Sequence, residues 1–194
     1  LGTGDEKKAN ETFSLLIYVL VVLGALFTAA GILFMEPMAR FLGADEGMLP
    51  VCVRYGRIVL CALVPFMLQN TFQSFLVTAE RPHLGLYITI AAGVTNMALD
   101  ALFIAGFHWG VTGAALATAL SQGIGGLIPL VYFILPNKSK LRLGRTRMDV
   151  RALLKASGNG SSEFMTNISM SIVTMLYNWQ LMRLMGADGV AVFG

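Results

Sequence analysis

The chain has 194 residues, of which 56% are hydrophobic and only 13% are charged. Soluble domains carry about 25% charged residues, and a domain of this size could not hide so much apolar surface from water. The net charge of +3 is small, and Lys and Arg stand between apolar runs instead of forming the basic face of a nucleic-acid-binding protein. The composition excludes soluble, disordered and collagen-like proteins and predicts a membrane protein with no nucleic-acid partner.

Long apolar runs follow one another along the chain, and a transmembrane helix needs about 20 residues. The predicted helices cover about residues 12–35, 51–79, 84–107, 110–136 and 158–184, and a further helix begins near residue 188. Pro65 lies inside the second run and is expected to kink it, because proline removes a helical hydrogen bond. The predicted fold class is all-α, a polytopic membrane helix bundle. Because the chain begins at Leu1 and ends in an apolar stretch, we expect it to be a piece of a longer protein.

Basic residues predict the orientation, since Lys and Arg concentrate in cytoplasmic loops. One side of the membrane carries Lys7, Lys8, Arg81 and the many basic residues of 138–157, whereas the other carries Arg40, Arg54, Arg57 and Arg183. This asymmetry places the N-terminal side of the chain in the cytoplasm.

The segment 138–157 is a boundary between two predicted bundles. Thr146 is expected to cap a short helix in which Val150, Leu153 and Leu154 form an apolar stripe among basic residues. Such a helix would lie on the inner membrane face, and a solvated linker is the alternative. The chain accordingly divides into 1–137, the basic linker 138–157, and 158–194.

Asp100 is the one charged residue placed well inside a predicted span. Ionisable groups are costly in a bilayer and mark ion pathways or proton relays. Thr89, Gly93 and Asn96 precede Asp100 at steps that put all four on one helix face. Asp100 is therefore our candidate for a group that binds and releases a proton.

Other polar residues are expected near Asp100. Asp100 and Thr118 each lie seven residues from the outer end of a span, which is a depth of about 10 Å. Tyr55 enters from the same side, so a polar chamber in the outer half is predicted. Further chamber candidates on the same helices are Asn70, Gln73 and Gln122.

Two structural alternatives apply to these polar residues. Amide and hydroxyl side chains can simply hydrogen-bond neighbouring helices, and Arg54 or Arg57 could pair with Asp100. The stripe Gly113, Ala117, Ser121 and Gly125 is interpreted as helix packing, because small residues let helices approach closely.

The sequence contains no nucleophile–base pair, phosphate-binding loop or metal-ligand spacing. We therefore predict no catalytic residue, no metal site and no cofactor, and we do not expect an enzyme.

Several segments resemble the multidrug and toxic compound extrusion (MATE) transporters. Residues 1–9 are similar to the loop after that family's second helix, and residues 75–82 to the turn after its fourth. The most specific similarity is residues 96–100, Asn-Met-Ala-Leu-Asp, followed by residues 110–118, Gly-Val-Thr-Gly-Ala-Ala-Leu-Ala-Thr. Residues 189–191 resemble the start of the eighth helix.

The resemblance implies a twelve-helix transporter of two six-helix lobes, of which this chain would hold helices three to seven. It implies an N-lobe chamber whose Tyr, Asn, Asp and Thr match Tyr55, Asn96, Asp100 and Thr118, with a further amide near Gln73 or Asn70. Glu163 stands at the predicted inner start of the seventh helix, where a helix dipole favours an acidic residue.

The predicted function is a secondary active multidrug exporter in a bacterial cytoplasmic membrane, monomeric in function. It would exchange amphipathic or cationic drugs for the coupling ion, a proton in preference to sodium. The alternatives are a lipid-linked oligosaccharide flippase of the same superfamily, a channel, or a membrane-embedded enzyme.

Overall fold

The computed structural model describes residues 6–135, 139, 141–146 and 148–193 of the chain. The described residues form α-helices and one π-helical segment, with no strand among them. The bounds are α1 Glu6–Phe41, α2 Leu49–Cys61, α3 Leu63–Thr78, α4 Pro82–Asp100, the π segment Ala101–Gly106, α5 Gly110–Ile134 and α6 Val150–Phe193. The predicted all-α fold class is confirmed. Of the basic linker residues, Lys138, Lys140 and Arg147 lie outside the described residues.

Three helices among the described residues are long and apolar enough to cross a membrane. They are Lys7–Phe41, Pro82–Gly106 and Gly110–Ile134, and the bent pair α2 and α3 makes a fourth if it is one span. The fifth predicted span, about 158–184, lies within α6 and is not among them. Polar residues such as Asn167, Ser169 and Ser171 interrupt its apolar sequence and lower its mean hydropathy.

The chain divides into two compact units, Leu1–Met148 and Asp149–Gly194. The second unit consists of α6, which is continuous over 44 residues, although the sequence predicts an amphipathic helix, a span and a further helix from residue 188 in this range. No proline interrupts α6, and a glycine inside a helix costs only about 1 kcal/mol. The division into 1–137, 138–157 and 158–194 stays a prediction.

The bend between α2 and α3 measures 46° and lies at Ala62. Pro65 has no N–H to donate to the carbonyl of Cys61, and its ring would clash with that carbonyl. Thr28 of α1 donates its hydroxyl to the carbonyl oxygen of Leu60 at 3.1 Å, so a neighbouring helix satisfies a carbonyl beside the break. The predicted kink is confirmed.

Helix α5 packs against α2, α3 and α4. Its predicted packing stripe is buried throughout, since Gly113, Ala117, Ser121 and Gly125 all lie in the interior. The approach to α3 is closest at Gly126, where an added Cβ would lie 2.3 Å from the carbonyl oxygen of Pro65. Small residues on α5 therefore set the spacing of this bundle.

Residues 141–146, which we call the strap, are not helical. This differs from a solvated linker, because the strap is bound to α1 and α5. Val150, Leu153 and Leu154 of the predicted helix do lie in a helix, namely the first turns of α6. The hydrogen bonds run from Leu143 N to Phe133 O (2.8 Å), Arg142 N to Asn10 Oδ1 (2.8 Å), Gly144 N to Ser14 Oγ (3.0 Å), Thr146 Oγ1 to Glu11 O (2.7 Å) and Tyr18 OH to Gly144 O (3.2 Å).

Apolar contacts hold the strap as well. Leu141 is buried in the core cluster that contains Phe13, Phe72 and Phe133. Thr146, the predicted helix cap, belongs to the strap instead. Asp149 takes the capping role for α6, since its Oδ1 accepts a hydrogen bond from Ala152 N at 3.1 Å.

Candidate functional site

Asp100 is the last residue of α4 and is half-buried. Its Oδ1 is buried without a hydrogen-bond partner, and no other side-chain oxygen or nitrogen of the described residues is in that position. Buried polar atoms are nearly always hydrogen-bonded, so an unpaired one requires an explanation. Because this carboxylate oxygen has no hydrogen-bond donor, we take Asp100 as the centre of the candidate site.

The π segment begins immediately after Asp100. In it the N–H of Phe107 donates to the carbonyl of Leu102 at 2.9 Å, a wider turn than an α-helix makes. Such turns are rare and occur frequently at functional sites. This change cannot be predicted from the sequence, because residues 101–107 are all apolar or glycine and show no helical periodicity.

The π segment is held firmly by its neighbours. An added Cβ at Gly113 of α5 would lie 2.9 Å from the Cβ of Phe103, so the two backbones meet closely. Phe103, Phe107 and Trp109 form an aromatic group with ring centroids 5.2–6.2 Å apart. The backbone that follows Asp100 is therefore fixed against α5.

The other residues predicted for the chamber lie on helices that pack together. Asn96 is half-buried on α4, one turn before Asp100, and Thr118 and Gln122 are half-buried on α5. Tyr55 lies on α2 with 39% of its surface exposed. Helix α5 contacts both α2 and α4, but no hydrogen bond joins these side chains within the described part of the chain.

Two further candidates are engaged elsewhere. Asn70 donates to the carbonyl of Phe66 in its own helix at 2.9 Å. Gln73 donates to Thr89 Oγ1 at 2.7 Å and so joins α3 to α4. Thr89 precedes Asp100 by about three helical turns, or about 16 Å along the axis. Gln73 therefore lies on the same side of α4 as Asp100 but far from its carboxylate.

The alternative pairing of Asp100 with an arginine is not found. Among the described residues, Asp100 forms no ion pair with Arg54 or Arg57. These arginines line a separate cavity of about 490 Å³ together with Glu36. Glu36 itself pairs with Arg40 at 3.2 Å.

Glu163 does not stand at a helix N-terminus. Because α6 begins at Val150, Glu163 lies more than three turns inside it and is exposed. The expectation that a helix dipole stabilises its charge is wrong. The structure also shows no group of three His, Cys, Asp or Glu side chains that could hold a metal, as far as its described residues extend.

The chain is similar to bacterial export proteins. "Multidrug export protein MepA" of Staphylococcus saprophyticus is 27% identical over 181 residues, which are 92% of this chain and 40% of that protein. In Bacillus subtilis, "Probable multidrug resistance protein YpnP" is 32% identical over 133 residues, which are 69% of this chain and 30% of that protein. The chain thus spans less than half the length of these relatives.

Solved structures share the fold. The inward-facing conformation of a multidrug resistance MATE family transporter of the MOP superfamily has a TM-score of 0.90 at 22% identity, covering 99% of this chain and 44% of that one. A MOP superfamily transporter from Pyrococcus furiosus has a TM-score of 0.85 at 21% identity, covering 97% of this chain and 42% of that one.

The family model called MatE matches residues 1–102, more than half of the chain. Members of this family are transporters, which confirms the prediction that the chain is not an enzyme. The chain belongs to the MatE family and is a multi-pass membrane protein.

Proposed function

We propose that the chain is part of a secondary active multidrug exporter, which moves amphipathic or cationic small molecules out of the cell in exchange for protons. Its relatives carry the names of multidrug export and resistance proteins. We place it in a bacterial cytoplasmic membrane as a functional monomer, with the N-terminal side of α1 in the cytoplasm because basic residues concentrate on that side.

The observation that carries this proposal is the buried, unpaired Oδ1 of Asp100. A carboxylate without a donor in apolar packing is costly, and binding a proton or a cation removes that cost. We assign the coupling proton to Asp100. When the substrate binds, Asn96, Thr118 and Tyr55 are proposed to hydrogen-bond the carboxyl group or the substrate, and Asn70, Gln73 and Gln122 remain secondary chamber candidates.

The coupling follows from the different packing needs of the two protonation states. The neutral carboxyl fits the apolar contact between α4 and α5, whereas the charged form requires a donor or a cationic substrate. A ligand shifts a conformational equilibrium by its difference in affinity for the two states. Exchange of proton for substrate at Asp100 would therefore change the side to which the chamber opens.

The direct test is Asp100→Asn in the intact protein, with efflux of a fluorescent organic cation measured in cells. We expect loss of gradient-driven efflux at an unchanged amount of protein in the membrane. Asp45→Asn is the matched control, since Asp45 is an exposed loop residue whose side-chain oxygen accepts from Met48 N at 2.7 Å. Full efflux by the Asp100→Asn protein would refute the assignment.

Proteoliposomes identify the coupling ion and separate an antiporter from a channel. We expect accumulation of the organic cation against its gradient when a pH gradient is imposed, and none with a sodium gradient alone. Accumulation with a sodium gradient alone would identify sodium as the coupling ion. Transport that never raises the internal concentration of the organic cation above the external one would indicate a channel.

A further inference from the structure

A groove lies between α1 and the strap in the first unit of the structure. Its volume is about 330 Å³, and its apolar lining includes Val19, Val22 and Leu23 of α1 and Met148 beyond the strap. The lining begins at Leu15, so the groove follows α1 for about two turns, or about 12 Å. A narrow apolar groove along a membrane-spanning helix has the shape to receive a hydrocarbon chain.

One end of this groove is polar and basic. The bonds from Arg142 N to Asn10 and from Thr146 to Glu11 bring the strap to the first turns of α1. We call the exposed side chains gathered there the basic rim, and they are Lys7, Lys8, Arg142 and Arg145. In the sequence Asp5, Glu6 and Glu11 stand beside Lys7 and Lys8, so the four basic residues of the rim exceed these acidic residues by one.

The boundary between the groove and the basic rim is marked by hydroxyl groups. Tyr18 and Thr146 line the groove, and both donate their hydroxyls to backbone carbonyls that join α1 to the strap. Tyr is typical of the level where membrane and water meet. The apolar part therefore lies at the depth of the acyl chains, and the basic rim at the depth of the lipid head groups.

We propose that this groove binds one anionic phospholipid of the adjacent leaflet. Its phosphate lies against Arg145 and Lys7, and one acyl chain follows α1 toward Leu23. Basic pockets beside transmembrane helices recognise anionic lipid head groups, and burial of the acyl chain adds apolar contact. The inference requires that α1 spans the membrane, and it is independent of the role of Asp100.

Lipid binding to the purified intact protein can be counted by native mass spectrometry. We expect phosphatidylglycerol to bind more tightly than phosphatidylcholine with the same acyl chains. Arg145→Gln and Lys7→Gln should each weaken phosphatidylglycerol binding about fivefold. Arg81→Gln removes an exposed charge in the turn before α4, on the side of the membrane predicted for the basic rim, and should leave binding unchanged.

A second variant tests the acyl chain with all charges intact. Val22 is 58% exposed, so Val22→Trp can fill the groove without disturbing the core, and we expect it to displace phosphatidylglycerol. Val94→Trp, at a 60% exposed valine of α4, is the control. Equal binding of both lipids, an equal effect of Arg81→Gln, or full binding by the Val22→Trp protein would each overturn the proposal. Because lipid binding is measured without any transport assay, these results do not depend on whether Asp100 has the proposed role.

Discussion

Asp100 differs from the polar residues around it in having a buried oxygen to which none of the described residues donates. Gln73 and Thr89 satisfy each other, and Asn70 bonds to its own helix. Ser121 donates to the carbonyl of Thr118 at 2.9 Å. These polar side chains thus serve helix packing, whereas the buried oxygen of Asp100 is left unsatisfied. That contrast is the physical ground for assigning it the coupling proton.

Adding one methyl group at Gly126 is expected to lower the stability of the protein strongly. In Gly126→Ala the new Cβ would lie 2.3 Å from the carbonyl oxygen of Pro65, a backbone atom that cannot rotate away. Overpacking of this kind costs about 1–3 kcal/mol. We expect a lower melting temperature of the intact protein in detergent, measured by its loss of monodisperse elution after heating.

Gly123 offers a matched control in the same helix. An added Cβ there would meet nothing within 4 Å, and alanine is preferred over glycine in helices by about 1 kcal/mol. Gly123→Ala should therefore leave the melting temperature unchanged or raise it. Equal destabilisation by both substitutions would show that the contact between α5 and Pro65 is not what limits the spacing.

The helix break near Pro65 can be predicted from the sequence, whereas the π segment cannot. Pro65 acts on its own helix through its missing N–H, so its effect follows from local chemistry and appears as the bend at Ala62. The π segment depends on how Phe103 meets Gly113 of another helix. The residue pattern of 84–107 does not indicate that contact and predicts a regular α-helix.

The strap was missed for a similar reason. Its partners on α1, which are Asn10, Glu11, Ser14 and Tyr18, lie more than 120 residues earlier in the chain. Capping and amphipathic patterns involve only near neighbours in the sequence. They predict a helix after Thr146, which α6 contains from Val150 onward, but not the docking of the strap. The side chains of α1 hold this segment as a docked strap.

Ser14→Ala tests the attachment of the strap. Ser14 is fully buried and its hydroxyl oxygen accepts from Gly144 N at 3.0 Å, so the substitution should loosen residues 141–146 at a cost of about 1 kcal/mol. We expect faster amide hydrogen exchange in this segment. Ser74→Ala on the exposed face of α3 should leave exchange unchanged. A strap equally protected in both variants would argue against this attachment.

For the whole molecule, the sequence sufficed for the fold class and the family but not for the site geometry. Long apolar runs dictate membrane helices because unsatisfied backbone groups are excluded from lipid. Tyr55, Asn96 and Thr118 lie on helices that α5 brings together, yet their roles stay predictions since no hydrogen bond joins them in the described structure. Their arrangement depends on side-chain rotation and on ligands, which residue spacing does not determine.

The proposed orientation predicts which loops a membrane-impermeant thiol reagent reaches. After replacement of Cys52 and Cys61 by Ser, we expect Asp45→Cys to be labelled in intact cells. Arg81→Cys should be labelled only after the membrane is permeabilised, because the proposed orientation puts the turn before α4 in the cytoplasm. Both positions are exposed. The reverse pattern would invert the proposed orientation.

In the proposed function, Asp100 exchanges a proton for the substrate. The most direct measurement is proton release from the purified intact protein in weakly buffered solution when a fluorescent organic cation binds. We predict release from the wild-type protein and from the Asp45→Asn control, and none from Asp100→Asn. Equal release from the Asp100→Asn protein, or substrate binding to wild type without any release, would contradict the claim.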